Sequence, residues 1–117
     1  MNMVLLVLND PEALEDLLTA WEEAGVKGIT VLPSTGLGRL RQYALFEDLP
    51  LIPSLDDMEI HLEKLSRTLF TICDDERTID RLVEATQKVV GNLDEPNTGI
   101  LAVIPLTRVY GLRRQNS

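Results

Sequence analysis

The sequence predicts an α+β fold, a ferredoxin-like β-α-β-β-α-β sandwich with an antiparallel four-stranded sheet and two helices on one face. Three observations predict it. Near the N-terminus a short apolar run, an amphipathic helical stretch and a β-branched run follow one another. The same order recurs after residue 65. The chain has 117 residues, which allows one compact domain and little else.

The first run, Val4-Leu5-Leu6-Val7-Leu8, is too short for a helix of ordinary length and stops at Asn9-Asp10-Pro11, so it reads as a buried strand. Asp10 is a good helix N-cap, and Pro11 suits the first helical position, where a missing N–H costs nothing. Leu14, Leu17, Leu18 and Trp21 recur at helical spacing and predict an amphipathic helix over 11–24. Glu15, Asp16, Glu22 and Glu23 form its wet face, and Gly25 ends it. Residues 28–32 are a second strand, stopped by Pro33. Ser66 to Cys73 is the third. Asp74-Asp75-Glu76 then places negative charge at a helix start, where the macrodipole favours it. Ile79, Leu82, Val83, Thr86, Val89 and Val90 carry the 3.6-residue period over 76–90, and Gly91 terminates it. After an acidic turn, residues 99–104 make the fourth strand.

Strands such as 4–8 and 100–104 are apolar at nearly every position, whereas a sheet with one wet face would alternate. Two helices cover one face only. The other face needs the insert or further subunits over it, and a closed homo-oligomer is expected. The insert, residues 35–65, is the irregular part. Gly36-Leu37-Gly38-Arg39 opens it, and Pro50 to Pro53 interrupts it. Ser54 caps a short expected helix over 55–65 with Leu55, Met58, Leu62 and Leu65 as its stripe. An insert of this length between strands is more often functional than idle.

Composition narrows the function. Nineteen acidic against eleven basic residues give a net charge of −8, which argues against a nonspecific grip on a nucleic-acid backbone. One cysteine, Cys73, excludes an intrachain disulfide framework, and one histidine, His61, leaves the usual metal-ligand sets short. No apolar run approaches the ~20 residues of a membrane helix, and residues 1–4 lack the basic start of a signal peptide. A cytoplasmic, non-membrane protein is expected.

No nucleophile–base pair can be proposed, so an enzyme is not expected. Cys73 is followed by three acids that disfavour its thiolate, and it reads as a structural thiol. Aspartates 56 and 57, like 74 and 75, are adjacent and point about 100° apart on a helix, so helix-start chemistry accounts for them. The arginines are distributed unevenly. Segment 35–46 holds Arg39 and Arg41, segment 96–117 holds Arg108, Arg113 and Arg114, and neither contains an acid. Arginine's planar fork suits phosphate, and Gly36 and Gly38 permit close backbone approach to a ligand.

Gly28-Ile29-Thr30-Val31 leading to Gly36-Leu37-Gly38-Arg39 resembles the second strand and loop start of the PII-type nitrogen-regulatory signalling proteins. Gly99-Ile100-Leu101-Ala102-Val103 through Arg108-Val109-Tyr110-Gly111-Leu112-Arg113 is similar to that family's last strand and arginine-rich finish. The resemblance spans nearly the whole chain, including the position of the insert. It implies one domain over 1–112 with a T-loop-like insert at about 35–65 and a short tail at 113–117. It further implies a homotrimer with sheets facing inward and ATP, ADP or AMP bound in the cleft between subunits. Gly36, Gly38, Arg39, Arg108 and Arg113 would line that cleft. Tyr43, Phe46, Leu49 and Leu51 of the insert would contact a target protein, whether transporter, enzyme or regulator.

The chain departs from the family pattern at three positions. Leu40 stands where the family has a glutamine that helps hold magnesium and 2-oxoglutarate. Gly99 stands where it has a phosphate-contacting lysine, and Gly111 where it has the first arginine of its finish. The chain therefore reads as a divergent PII-like trimeric regulator that binds an adenine nucleotide or other small anionic effector in the inter-subunit cleft and contacts a partner protein through the insert. The alternatives are a divalent-cation-binding trimer of the cation-tolerance type and an adaptor trimer without ligand control.

Overall fold

In the computed structural model, residues 1–37, 65–96 and 98–112 are described. Four strands form one sheet: β1 (Asn2–Leu8), β2 (Thr30–Ser34), β3 (Ser66–Cys73) and β4 (Ile100–Pro105). Two helices join them, α1 (Leu14–Glu23) between β1 and β2, and α2 (Glu76–Val90) between β3 and β4. The strand order is β2-β3-β1-β4, with every neighbouring pair antiparallel. This is the ferredoxin-like α+β arrangement that the order of elements predicts.

Local chemistry sets the boundaries. The Asp10 carboxylate accepts the Glu12 N–H at 3.0 Å, and the Ala13 N–H reaches the Asp10 carbonyl at 3.1 Å. That short-period bond makes residues Pro11–Ala13 a single 3-10 turn, so the regular helix starts at Leu14 rather than at 11. At α2 the Asp75 carboxylate accepts the Arg77 N–H at 3.1 Å and the Thr78 hydroxyl at 3.3 Å, which fixes the start where the acids place it. Gly25 and Gly91 follow the two helices with φ of 109° and 94°.

The second strand is displaced from its expected span. It runs Thr30–Ser34 rather than 28–32, and Pro33 lies inside it instead of stopping it. Among the described residues β2 is an edge strand with β3 as its one partner, and an edge is where a sheet tolerates a residue without an N–H.

One face of the sheet packs under the helices. Val4, Leu6 and Leu8 of β1 and Leu69 of β3 meet Leu17 and Trp21 of α1 and Ile79 and Leu82 of α2 in one buried cluster. The core is mainly aliphatic, with Trp21 as its largest fully buried member.

The register assigns the opposite face. Met3 lies between Ile72 and Ile104, Leu5 between Phe70 and Ala102, and Val7 between Thr68 and Ile100. These residues alternate with the buried set and so point away from the helices. Ile100 is 66% exposed, and Ile104 and Leu32 on the same face are also exposed. Among the described residues, three adjacent strands thus present an almost wholly apolar surface that the helices do not cover.

Candidate functional site

β2 pairs with β3 only from Ser34↔Ser66 to Thr30↔Phe70, while β3 continues to Cys73 alongside β1. Beyond Thr30 the α1–β2 connection leaves the ladder. One bond still ties it, from the Thr71 hydroxyl to the Gly28 carbonyl at 2.6 Å. The gap is a cleft of roughly 1020 Å3 at the Met1 end of the sheet, lined by the 25–30 segment, by 70–75 of β3 and the α2 start, and by Gly111 and Leu112.

The cleft has an apolar part, from Val26, Ile29, Phe70 and Ile72, and a charged part, from Lys27, Asp74 and Asp75. Asp75 is already engaged as the cap of α2. Cys73 is half-buried, and its thiol pKa is pushed up, first by burial and then by the Asp74 and Asp75 carboxylates. A nucleophile needs the opposite shift, so the structural reading of this thiol stands on its surroundings as well as on sequence. Among the described residues the cleft thus combines apolar surface, the part of the β3 edge that β2 leaves uncovered, and one lysine.

The residues expected to bind an anion fall in two places. Gly36 lies two positions past β2 and is exposed, with nothing within 4 Å of a Cβ built on it. Its backbone does not require glycine within this chain. Arg108 follows β4 and is exposed, with Nη1 donating to the Tyr110 hydroxyl at 3.5 Å. Gly38, Arg39 and Arg113 lie outside the described residues, as do Tyr43, Phe46, Leu49, Leu51, Leu40 and all of the expected helix over 55–65 except Leu65.

The register shows that Gly36 and Arg108 do not meet in one chain. β2 ends at Ser34↔Ser66, beside the Leu8↔Arg67 pair. β4 ends at Pro105, opposite Asn2, and the Leu106 N–H continues the ladder to the Met1 carbonyl at 2.9 Å. Gly36 therefore leaves at the Leu8 end and Arg108 at the Met1 end. The seven residues of β1 separate them, about 20 Å at the rise of a strand.

Two glycines mark these ends. Gly99, just before β4 at the Leu8 end, has a φ of 131°, and a Cβ built on it would stand 2.6 Å from the Val7 carbonyl oxygen. Gly111, in the cleft at the Met1 end, has a φ of 87°. Both take backbone conformations that L side chains rarely adopt. At both positions where the resemblance expects a cation, glycine supplies no side chain.

Sequence reasoning missed Lys27 and Thr78 as cleft residues. The available signal was the length of the strands: five residues in β2 cannot cover eight in β3, and the uncovered end is where the cleft opens.

The family model for the nitrogen regulatory protein P-II matches residues 1–116. The chain belongs to the P-II family. The match runs through the insert and both arginine-bearing segments as well as the folded sandwich. P-II proteins are regulatory signalling proteins rather than enzymes, typically bind effectors of the ATP, ADP and AMP type, and are trimers that contact target proteins. Among curated proteins no individual relative matched the chain. Among the described residues no helix is long and apolar enough to cross a membrane. Nor do three or more His, Cys, Asp or Glu side chains come together there as a metal cluster.

Proposed function

We propose that this P-II protein is a cytoplasmic homotrimer that binds an adenine nucleotide or similar small anion between its subunits. The bound state passes to a target protein through residues 35–65, with Tyr43, Phe46, Leu49 and Leu51 as contacts. Residues 1–112 act as one domain, and 113–117 are a tail. The protein performs no chemistry on its effector.

The observation that carries this reading is the separation of Gly36 from Arg108. With about 20 Å of β1 between them, they can serve one ligand only if the Leu8 end of one copy meets the Met1 end of the next. The apolar sheet face supplies the reason for copies to meet, because its Ile100, Ile104 and Leu32 side chains are left in water by a single chain. Gly36, Gly38 and Arg39 would then come from one copy, and Arg108 and Arg113 from the other. The cleft at Lys27 and Phe70 supplies the apolar surface for the base.

Light scattering combined with calorimetric titration of ATP, ADP and AMP tests the reading. A mass of three chains with heat on nucleotide addition supports it. A folded trimer that gives no heat with any of the three would leave an adaptor without ligand control.

A further inference from the structure

β2 stops pairing at Thr30↔Phe70, yet β3 offers Thr71, Ile72 and Cys73 further along the same edge. In unbroken register Ile29 would pair with Thr71 and Gly28 with Ile72. Nothing in segment 27–29 forbids that continuation: it holds no proline, and a Cβ built on Gly28 meets nothing within 4 Å. The segment is instead lifted off the edge. Thr71 alternates with Phe70 and Ile72 and is buried on the helix side of the sheet, as Leu69 is. Its hydroxyl donates to the Gly28 carbonyl at 2.6 Å. Ladder bonds run from strand to strand in the sheet, whereas this bond draws the carbonyl out of the sheet toward the helices. Behind it, the Gly25 N–H donates to the Glu22 carbonyl at 3.0 Å and the Val26 N–H to the Trp21 carbonyl at 3.3 Å, and Val26 is buried. The connection is thus pinned to α1 on one side and to the β2 ladder on the other. Only segment 27–29 is left to lie on β3 or off it.

A side-chain hydroxyl that bonds a nearby backbone group competes with the ladder for it. We propose that Thr71 is a positioning residue that holds the cleft open for the effector's base. The inference rests on the proposed placement of that base in this cleft. Paired strands lie about 4.8 Å apart, which leaves no room for a ring between them. With segment 27–29 held off β3, the cleft measures roughly 1020 Å3. Thr71 acts through Gly28, by setting the distance between that segment and the β3 edge.

Thr71→Val in the full chain tests it, because valine keeps the volume and the strand preference and removes the donor. Amide hydrogen exchange followed by nuclear magnetic resonance reads the β3 edge, and calorimetric titration with ATP, ADP and AMP reads the cleft. In the native chain the cleft-side amides among residues 71–73 are expected to exchange quickly. In Thr71→Val they are expected to gain protection as β2 lengthens. Apparent affinity falls with the fraction of chains that is open, so a variant closed about nine-tenths of the time binds about tenfold more weakly. Thr71→Ser keeps the hydroxyl and is expected to restore both fast exchange and affinity. Unchanged protection in Thr71→Val overturns the inference even where binding weakens, since a merely structural role would weaken it too. Gained protection at full affinity also overturns it, because the base would then not need the open cleft. Both of these results leave the proposed site standing. No heat from the native chain with any of the three nucleotides overturns the site, and the inference with it.

Discussion

The Trp21 indole N–H on α1 donates to the Thr86 hydroxyl on α2 at 2.9 Å, and both side chains are fully buried. The same hydroxyl donates to the Leu82 carbonyl at 2.6 Å. A buried donor without an acceptor is expensive, so this chain of bonds fixes how the two helices sit over the sheet. Thr86→Val keeps the shape but strands the indole N–H. It should lower stability by about 1–3 kcal/mol, read from urea unfolding. Thr86→Ser retains the acceptor and should lose distinctly less.

The approach of Gly99 to β1 makes a second prediction about stability. Gly99→Ala places a methyl group 2.6 Å from the Val7 carbonyl oxygen in a left-handed backbone. Strain and overpacking together should cost about 2 kcal/mol or more. Thermal unfolding should fall by several degrees, whereas Gly36→Ala, in open space, should leave the midpoint nearly unchanged.

The apolar face predicts how the assembly breaks. Ile104 lies across from Met3 and is already exposed in one chain, so Ile104→Asp costs a single chain little. Buried between copies, the carboxylate would be unpaired. Sedimentation should find the variant shifted from three chains to one, with the far-ultraviolet circular dichroism of a folded protein retained.

Cys73 gives a prediction in pH. Its raised pKa leaves less thiolate at any neutral pH than an ordinary cysteine has. Alkylation by iodoacetamide should therefore be slow at pH 7 and climb only above the usual thiol range. Asp74→Asn removes one of the negative charges that oppose the thiolate. It should move the rate profile to lower pH, whereas a profile that stays in place would leave burial and the Asp75 carboxylate as the causes.

Much of the fold was legible because its local signals agree. Asp10 before Pro11, acids before Ile79, and Gly25 and Gly91 after the helices all name boundaries that the structure keeps to within a few residues. The errors arose where tertiary context decides. Pro33 stops an interior strand but is tolerated on an edge, and no residue near it tells the two apart. The cleft was not legible, because it comes from the mismatch of β2 and β3 rather than from a motif. The apolar character of both sheet faces was legible in outline, since β1 and β4 do not alternate. The separation of Gly36 from Arg108 was hidden, because sequence distance says nothing about which end of an antiparallel ladder a residue leaves from.

The central claim is that each effector site is completed by two copies of the chain. Mixing two binding-deficient variants tests it most directly. Arg39→Ala removes the arginine of the β2 end, and Arg108→Ala removes that of the β4 end. Each variant alone should form trimers and bind adenine nucleotides weakly. Unfolded together and refolded as mixed trimers, they should recover a fraction of sites at full affinity, since some interfaces then pair two intact halves. Mixed trimers with no recovered sites would contradict the account, because a site contained within one chain cannot be repaired by its neighbour.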